Sequence, residues 1–358
     1  MRLKNEKSPE TFVPKRVRHR SQLILQGLTH ITLAVILLAL CLARRPVAIE
    51  PLRFLVILVP RLAFALPMLV ITPWAWMERK RWLLIEQLLG FLIVAGPLMG
   101  VNLGGIGNAF KQAPASDSNV VRILSYNIGP NGFDVEAIVA YLNSADIHIL
   151  LVQEDTNLWQ LQARLAQEKG WYADQYGTIF SRFPIISESK ELPDEVGGEK
   201  LYAGHLTIAR VKSGRMDFLV GSSHGPSLRG PFHKFVDHWD IAELDESLKW
   251  QERQLQRIAL MMDQNDSQPL VVGGDFNVPP YSIYSAPLEK RFRDVFAEIG
   301  IGYGYSFPSV LPWLRLDKFY ISRGWSPQRC FVAPDFGSDH RPVFTELVLE
   351  ELSEKPKQ

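Results

Sequence analysis

The chain has 358 residues, 39 Lys/Arg against 38 Asp/Glu, and 47% hydrophobic residues, enough length for two domains. The near-neutral total conceals a division: residues 1–110 carry 14 Lys/Arg and 5 Asp/Glu, whereas residues 111–358 carry 25 and 33. An acidic C-terminal part argues against a non-specific nucleic-acid grip, which needs a broad basic face, and Cys41 and Cys330 alone argue against a disulfide framework or a metal cluster.

Residues 1–20 read as a basic tail carrying Arg2, Lys4, Lys7, Lys15, Arg16, Arg18 and Arg20. Three apolar runs follow within residues 21–101. Residues 23–43 are almost uninterrupted, long enough to cross a bilayer at about 1.5 Å per residue. Residues 54–72 form a second run broken by Arg61, and residues 83–101 a third with Glu86 and Gln87 near its start. Trp74, Trp76 and Trp82 flank the second and third runs, as headgroup-seeking rings do. A bundle of about three transmembrane helices is therefore expected, with membrane lipids as partners. A cleaved signal peptide fits three runs poorly. Arg61 needs Glu86 or a backbone carbonyl as partner in such a setting, and His30 a similar structural contact. The basic tail stays cytoplasmic, so three crossings export everything after the third run. Arg44, Arg45 and Arg53 in the first loop oppose this, and two spans with a re-entrant Arg61 segment would reverse the side.

Residues 102–119, rich in Gly, Asn, Ser and Ala, read as a linker, residues 120–350 as a folded domain, and residues 351–358 as a polar tail. Within the domain, strands alternate with helices. An apolar strand over 120–124 delivers Ser125-Tyr126-Asn127, and one over 147–151 delivers Val152-Gln153-Glu154. Helical spacing covers 135–142 and 158–169. Strands over 206–211 and 216–222 form a hairpin about Gly214 that delivers His224. An inserted segment, 226–250, holds His233, His238 and the aromatic residues Phe232, Phe235 and Trp239. An amphipathic helix over 251–262 leads into Pro269-Leu-Val-Val-Gly-Gly-Asp-Phe-Asn277, where the glycines are expected to turn the chain sharply and present Asp275 and Asn277. Asp317 interrupts a strand-like stretch over 315–322. Ser338-Asp339-His340 precedes a last strand over 343–349.

A carboxylate, a carboxamide and a carboxylate–imidazole pair at strand ends are what metal-assisted attack of water on a phosphate ester needs. Glu154 is the best divalent-metal ligand, because Mg²⁺ prefers few carboxylates plus waters and substrate oxygens. His340 is the candidate general base, since imidazole titrates near neutral pH. No Gly-x-Ser-x-Gly, Gly-x-x-x-x-Gly-Lys-Ser/Thr or His-Glu-x-x-His set occurs, which removes the key residues of serine hydrolases, P-loop NTPases and zincins.

The order Asn127, Glu154, Asp275/Asn277, Asp317, Asp339/His340 resembles the endonuclease/exonuclease/phosphatase superfamily over roughly residues 118–350. The resemblance implies an α/β, DNase-like sandwich of two β-sheets packed face to face with helices outside, and a site formed by loops at one end. It implies that Asp317 fixes the tautomer of His340, that Asn127 supports the same Mg²⁺ (or Mn²⁺) as Glu154 or the phosphate, and that Asp339 lies near this or a second ion. Asp275 and Asn277 would orient the nucleophile and the phosphoryl oxygens or help the leaving group, and His224 would contact the phosphate. The expected function is a membrane-anchored, divalent-metal-dependent phosphodiesterase. Its substrate is a lipid, nucleic-acid or small-molecule phosphoester, with no obligate protein partner. A membrane-tethered nuclease and a catalytically silent scaffold of the same fold are the alternatives.

Overall fold

A computed structural model describes residues 15–44, 52, 56–107, 119–130, 132–154, 158–191, 205–214, 216–227, 230, 237–238, 240–265, 268–280 and 284–350. The chain divides into a helical unit, Met1–Cys41 with Arg61–Met99, and a larger unit, Leu42–Pro60 with Gly100–Gln358. The inserted Phe232, His233, Phe235 and Trp239, the last eight residues and residues 108–118 of the expected linker lie outside the described residues.

In the helical unit the first apolar run is helix α1 (Lys15–Arg44). The middle run does not make one continuous helix. A 3₁₀ turn at Arg61–Ala65 precedes helix α2 (Met68–Met77), because Pro60 and Pro67 each lack the N–H that would continue a helix. The third run is helix α3 (Arg81–Ile93), prolonged by a π turn at Val94–Leu98 around Pro97. Among the described residues two helices, His19–Arg44 and Arg81–Leu98, are thus long and apolar enough to cross a membrane; Arg61–Met77 is apolar but shorter. Polar side chains find partners inside the unit. Arg61 Nη1 donates to the Leu98 carbonyl at 2.9 Å, His30 Nδ1 lies 2.8 Å from Glu86 Oε1, and Gln22 Nε2 donates to Glu78 Oε2 at 2.9 Å.

The larger unit contains two six-stranded mixed sheets. The first runs in the order β11 (Trp325–Val332), β12 (Val343–Leu349), β1 (Val120–Asn127), β2 (Ile149–Gln153), β4 (Ile179–Ser181) and β3 (Tyr172–Ala173). The second runs β5 (Ile185–Glu191), β6 (His205–Ser213), β7 (Met216–His224), β8 (Leu270–Asp275), β10 (Asp317–Ile321) and β9 (Arg293–Asp294). Among the described residues only two neighbouring pairs are parallel, β1 with β2 and β7 with β8. Each is joined by a helical crossover, α4 (Val135–Ser144) and α6 (Ile241–Gln264), as parallel pairing requires. Helix α5 (Leu158–Gln167) follows β2.

Alternation along the strands explains the layers. Ile123, Ile149, Leu151, Phe218, Val220, Val271 and Phe319 point into one core shared by the two sheets. Their neighbours Leu124, Leu150 and Val152 face the other way, onto Ile138, Leu142, Leu161 and Leu165 of α4 and α5. Leu270, Val272 and Tyr320 face Leu248, Leu255, Ile258 and Met262 of α6. With both faces covered, β1, β2 and β8 read as continuous apolar runs rather than alternating ones. Ile57, part of the second apolar run of the sequence, also joins this last core. That run is therefore divided between the two units.

The glycine pair of β8 does something other than turn the chain. Gly273 and Gly274 lie within the strand. A Cβ at Gly274 would overlap the Ser223 backbone, and one at Gly273 would press on the Phe319 ring. Their missing side chains let β7 and the inter-sheet core close around β8.

Candidate active site

Strand register assembles the site. In the second sheet His224 of β7 is opposite Asp275 of β8, and Asp275 is opposite Asp317 of β10. Cross-strand partners share a face, so the three side chains form a row at one end of the sandwich. In the first sheet Asn127 of β1 is opposite Gln153 of β2, and Glu154 follows immediately. Glu154 and Asn277 both take left-handed backbone, with φ of 60° and 53°. Such conformations cost about 1 kcal/mol or more for residues with side chains and concentrate at functional sites.

Asn127 joins the sheets. Its Nδ2 donates to Glu154 Oε1 and to Asp275 Oδ2, each at 3.1 Å, and its Oδ1 accepts the Gly129 N–H at 3.0 Å. His340 Nδ1 lies 2.8 Å from Asp317 Oδ2, and its Nε2 lies 3.6 Å from Asp275 Oδ2. His224 Nε2 stands 3.9 Å from Glu154 Oε1 and 3.8 Å from Asp275 Oδ2. Asn277 donates its backbone N–H to Asp275 Oδ1 at 2.8 Å, while its amide donates to the Gly225 carbonyl at 2.9 Å. Asp339 lies against Gly129, where a Cβ would sit 2.6 Å from its Oδ1, and Ser338 Oγ is 3.4 Å from the same oxygen. Asn127, Glu154, His224, Asp275, Asp317 and His340 thus converge; Asn277 supports Asp275 through its backbone, and Asp339 stands beside the Asn127–Gly129 turn.

A profile of the Endonuclease/Exonuclease/phosphatase family matches residues 116–340. The chain belongs to that family. No curated protein matches the sequence significantly. Among solved structures, an endonuclease/exonuclease/phosphatase family protein from Bacteroides thetaiotaomicron is 17% identical, covers 65% of this chain and 98% of its own, and superposes with a TM-score of 0.49. A mannosyl-6-phosphatase from the same organism is 18% identical, with coverage of 64% and 100% and a TM-score of 0.48. The human Nocturnin catalytic domain with bound sulfate is 14% identical, with coverage of 65% and 95% and a TM-score of 0.47.

Within this family domain the electrostatics are set by burial among like charges. Burial disfavours the His340 imidazolium, yet Asp317, Asp275 and Asp339 outweigh it and push its pKa up to about 10. Burial raises the Asp317 carboxyl, aided by Asp275, while His340 opposes the rise. Asp275, Asp317 and His340 offer donor atoms within 4.8 Å of one another, all buried. Asp317 Oδ1 is buried with no hydrogen-bond partner among the described residues, a costly state for an acceptor. Oxygen donors from Asp275 and the orphaned Asp317 atom, with the His340 imidazole, make a set able to hold a divalent cation. The residues present fit a divalent ion.

Several supporting residues escaped the sequence reading. Ser338 Oγ donates to the Asn127 carbonyl at 2.8 Å and accepts the His340 N–H at 3.2 Å, tying the histidine turn to β1. It sits inside the Ser-Asp-His triplet, which was its signal. His205 packs its ring edge-on to His224 at 5.7 Å, and the register of the hairpin around Gly214 pairs the two. Ser306 Oγ accepts the Asp317 N–H at 3.3 Å, and the Phe307 ring lies 4.7 Å from that of His340. No local motif marks these two, because their loop reaches the site only through the tertiary fold.

Proposed function

We propose that this chain is a membrane-anchored hydrolase of phosphate esters that uses Mg²⁺ or Mn²⁺. The observation that carries the reading is the buried Asp317–His340 pair, 2.8 Å apart, with Nε2 facing Asp275 in a carboxylate cluster tied to Glu154 through Asn127. Asp317 accepts the Nδ1 proton and so leaves Nε2 to take a proton from water, as a positioned general base requires. His224 offers a donor toward a phosphoryl oxygen from beside Glu154 and Asp275. Asn127 holds those two carboxylates apart at fixed places, Asn277 fixes Asp275 from behind, and Asp339 supports the turn that carries His340. Glu154, Asp275 and Asp317 would hold a divalent ion, which would supply positive charge for the phosphoryl oxygens and offset the carboxylates that keep His340 protonated. No residue need form a covalent intermediate.

Full-length protein in nanodiscs, assayed on soluble phosphomonoesters and diesters, tests this. Hydrolysis should vanish in chelator, return with Mg²⁺ or Mn²⁺, and be lost in Glu154→Gln without loss of fold. Full activity in excess chelator would sink the proposal.

For topology, the contacts within the helical unit support an exported catalytic unit. Gln22–Glu78 and His30–Glu86 bring the Glu78–Arg81 turn to the N-terminal half of α1, while Arg61–Leu98 joins the other ends. The basic residues Lys15, Arg16, Arg18, Arg20, Arg79, Lys80 and Arg81 then share one end, which the positive-inside rule keeps cytoplasmic. Arg61–Met77 serves as the short returning arm. A reporter fused after Gln358 decides: an export-dependent phosphatase should be active there, whereas a cytoplasm-dependent fluorescent protein that matures would reverse the assignment.

A further inference from the structure

The loop over residues 300–314 builds one wall of the His340 site. Its Ser306 carbonyl accepts the Arg341 N–H at 2.8 Å, the Ser309 N–H donates to the Asp339 carbonyl at 2.7 Å, and Phe307 lies against the His340 ring. Arg341 Nε also donates to the Ser309 carbonyl at 2.7 Å. Three apolar side chains of this loop are turned outward: Val310 is 89% exposed, Leu311 72% and Ile301 58%. Well-bonded backbone on both sides of Val310 and Leu311 excludes the idea of a frayed segment. An ordered apolar tip beside a catalytic centre asks for a partner.

Chain connectivity says what that partner is. Trp313 Nε1 donates to the Leu58 carbonyl at 3.0 Å. Leu58 stands three residues before Arg61, where the helical unit resumes, and three extended residues span at most about 11 Å. Gly302 exchanges both backbone hydrogen bonds with Asn102, at 2.7 and 2.9 Å, and Asn102 Nδ2 donates to the Gly300 carbonyl at 2.9 Å. Asn102 stands three residues after Met99, the last residue of the helical unit, so the same limit of about 11 Å applies. Two independent links therefore tie opposite ends of one loop to segments of chain that run directly into the apolar helices. A bilayer that receives those helices is the apolar phase within reach of Val310, Leu311 and Ile301, and the Trp313 and Tyr303 rings suit its headgroup zone.

We propose that Val310 and Leu311 enter the bilayer surface as an apolar lip, and that the site hydrolyses a phosphate ester carried by a membrane lipid. This rests on the phosphoesterase reading above and adds the substrate class. The helices already anchor the enzyme, so the lip serves access: it sets the His340 wall at headgroup depth, where a lipid phosphate reaches the metal-binding carboxylates without leaving the bilayer. Water attacks phosphorus and gives a proton to the His340 Nε2, the bond from phosphorus to the lipid oxygen breaks, and that oxygen takes a proton from solvent water to leave as the alcohol.

The test uses the full chain in nanodiscs with Mg²⁺ and two kinds of substrate: a soluble nitrophenyl phosphodiester, and bilayer lipids comprising phosphatidylcholine, sphingomyelin, phosphatidylglycerol and phosphatidic acid. The double variant Val310→Asp/Leu311→Asp should lose about a hundredfold or more on the lipid it cleaves, the scale of two apolar side chains kept out of the bilayer, while its soluble-ester rate persists. Equal lipid rates in variant and wild type overturn the lip, and wild-type hydrolysis of the soluble ester with none of any lipid overturns the substrate class. Inactivity on both kinds refutes the underlying phosphoesterase reading instead. A second measurement does not depend on the acidic variant folding. Cys330 is buried and Cys41 exposed, so Leu311→Cys in a Cys41→Ala background takes a single environment-sensitive fluorophore. Blue-shifted emission quenched by brominated lipid is expected, and water-like emission overturns the proposal.

Discussion

Asp317→Asn separates orientation from charge at the heart of the site. The carboxylate contacts His340 at 2.8 Å in a buried setting and is among the groups that push the imidazole up to about 10. At an effective dielectric of about 20, a unit charge at this range is worth roughly 4–6 kcal/mol, or about three to four pH units. Asn keeps the shape and removes that charge. Burial, which lowers the imidazole pKa, then meets only Asp275 and Asp339. The acid limb of the pH–rate profile should shift toward lower pH by a unit or more, because His340 now loses its proton more easily. Turnover should fall by about 10²–10⁴, since the Asn amide can turn its NH₂ toward Nδ1 and hold the ring in the wrong tautomer. Steady-state rates of wild type and variant from pH 5 to 10 with saturating Mg²⁺ read both effects. The double change Asp317→Asn/His340→Ala should be no slower than His340→Ala alone, as for residues acting as one unit. An unmoved acid limb with turnover reduced less than about tenfold would refute the pairing.

Two other outcomes follow from the same contacts. Asn127→Ala removes the donor shared by Glu154 and Asp275, so half-activating Mg²⁺ should rise by about 10–100-fold, the range for lost orienting partners of metal ligands, as a metal titration would read; an unchanged Mg²⁺ requirement would contradict that role. In chelator, His340 should stabilise the fold more at low pH than at high pH. Its folded pKa of about 10 exceeds the unfolded value near 6.5, so the contribution is complete below 6.5 and lost as pH rises through 10. Thermal melts of wild type and His340→Gln should therefore differ most near pH 6 and converge by pH 10, and a gap that widens with pH would contradict the sign.

How much was legible beforehand depended on range. The hairpin about Gly214, the strand over 343–349 and the strand-end positions of Asn127, Glu154 and Asp275 follow from short apolar runs beside turn residues, and the structure has strands there; Asp317, read as lying inside a strand over 315–322, is instead the first residue of β10. Helix α6 begins ten residues earlier than its apolar spacing suggested, because Leu244 and Leu248 join a core whose other wall, β8, is distant in sequence. The middle apolar run misled for a local reason: its hydropathy suits a span, but Pro60 and Pro67 interrupt the backbone, and Ile57 is taken into the larger unit's core. Gly273 and Gly274 were read as a turn because clearance against β7 and Phe319 cannot be seen along the chain. The roles of Ser306 and Phe307 needed the fold, since 33 residues separate Phe307 from the imidazole it packs against.

The most direct test of the central claim is phosphoester hydrolysis by His340→Ala beside wild type, both full-length in nanodiscs with Mg²⁺. The buried Asp317–His340 pair predicts a loss of about 10²–10⁴ in turnover for a variant whose circular dichroism is unchanged. Wild-type turnover in His340→Ala would contradict the account.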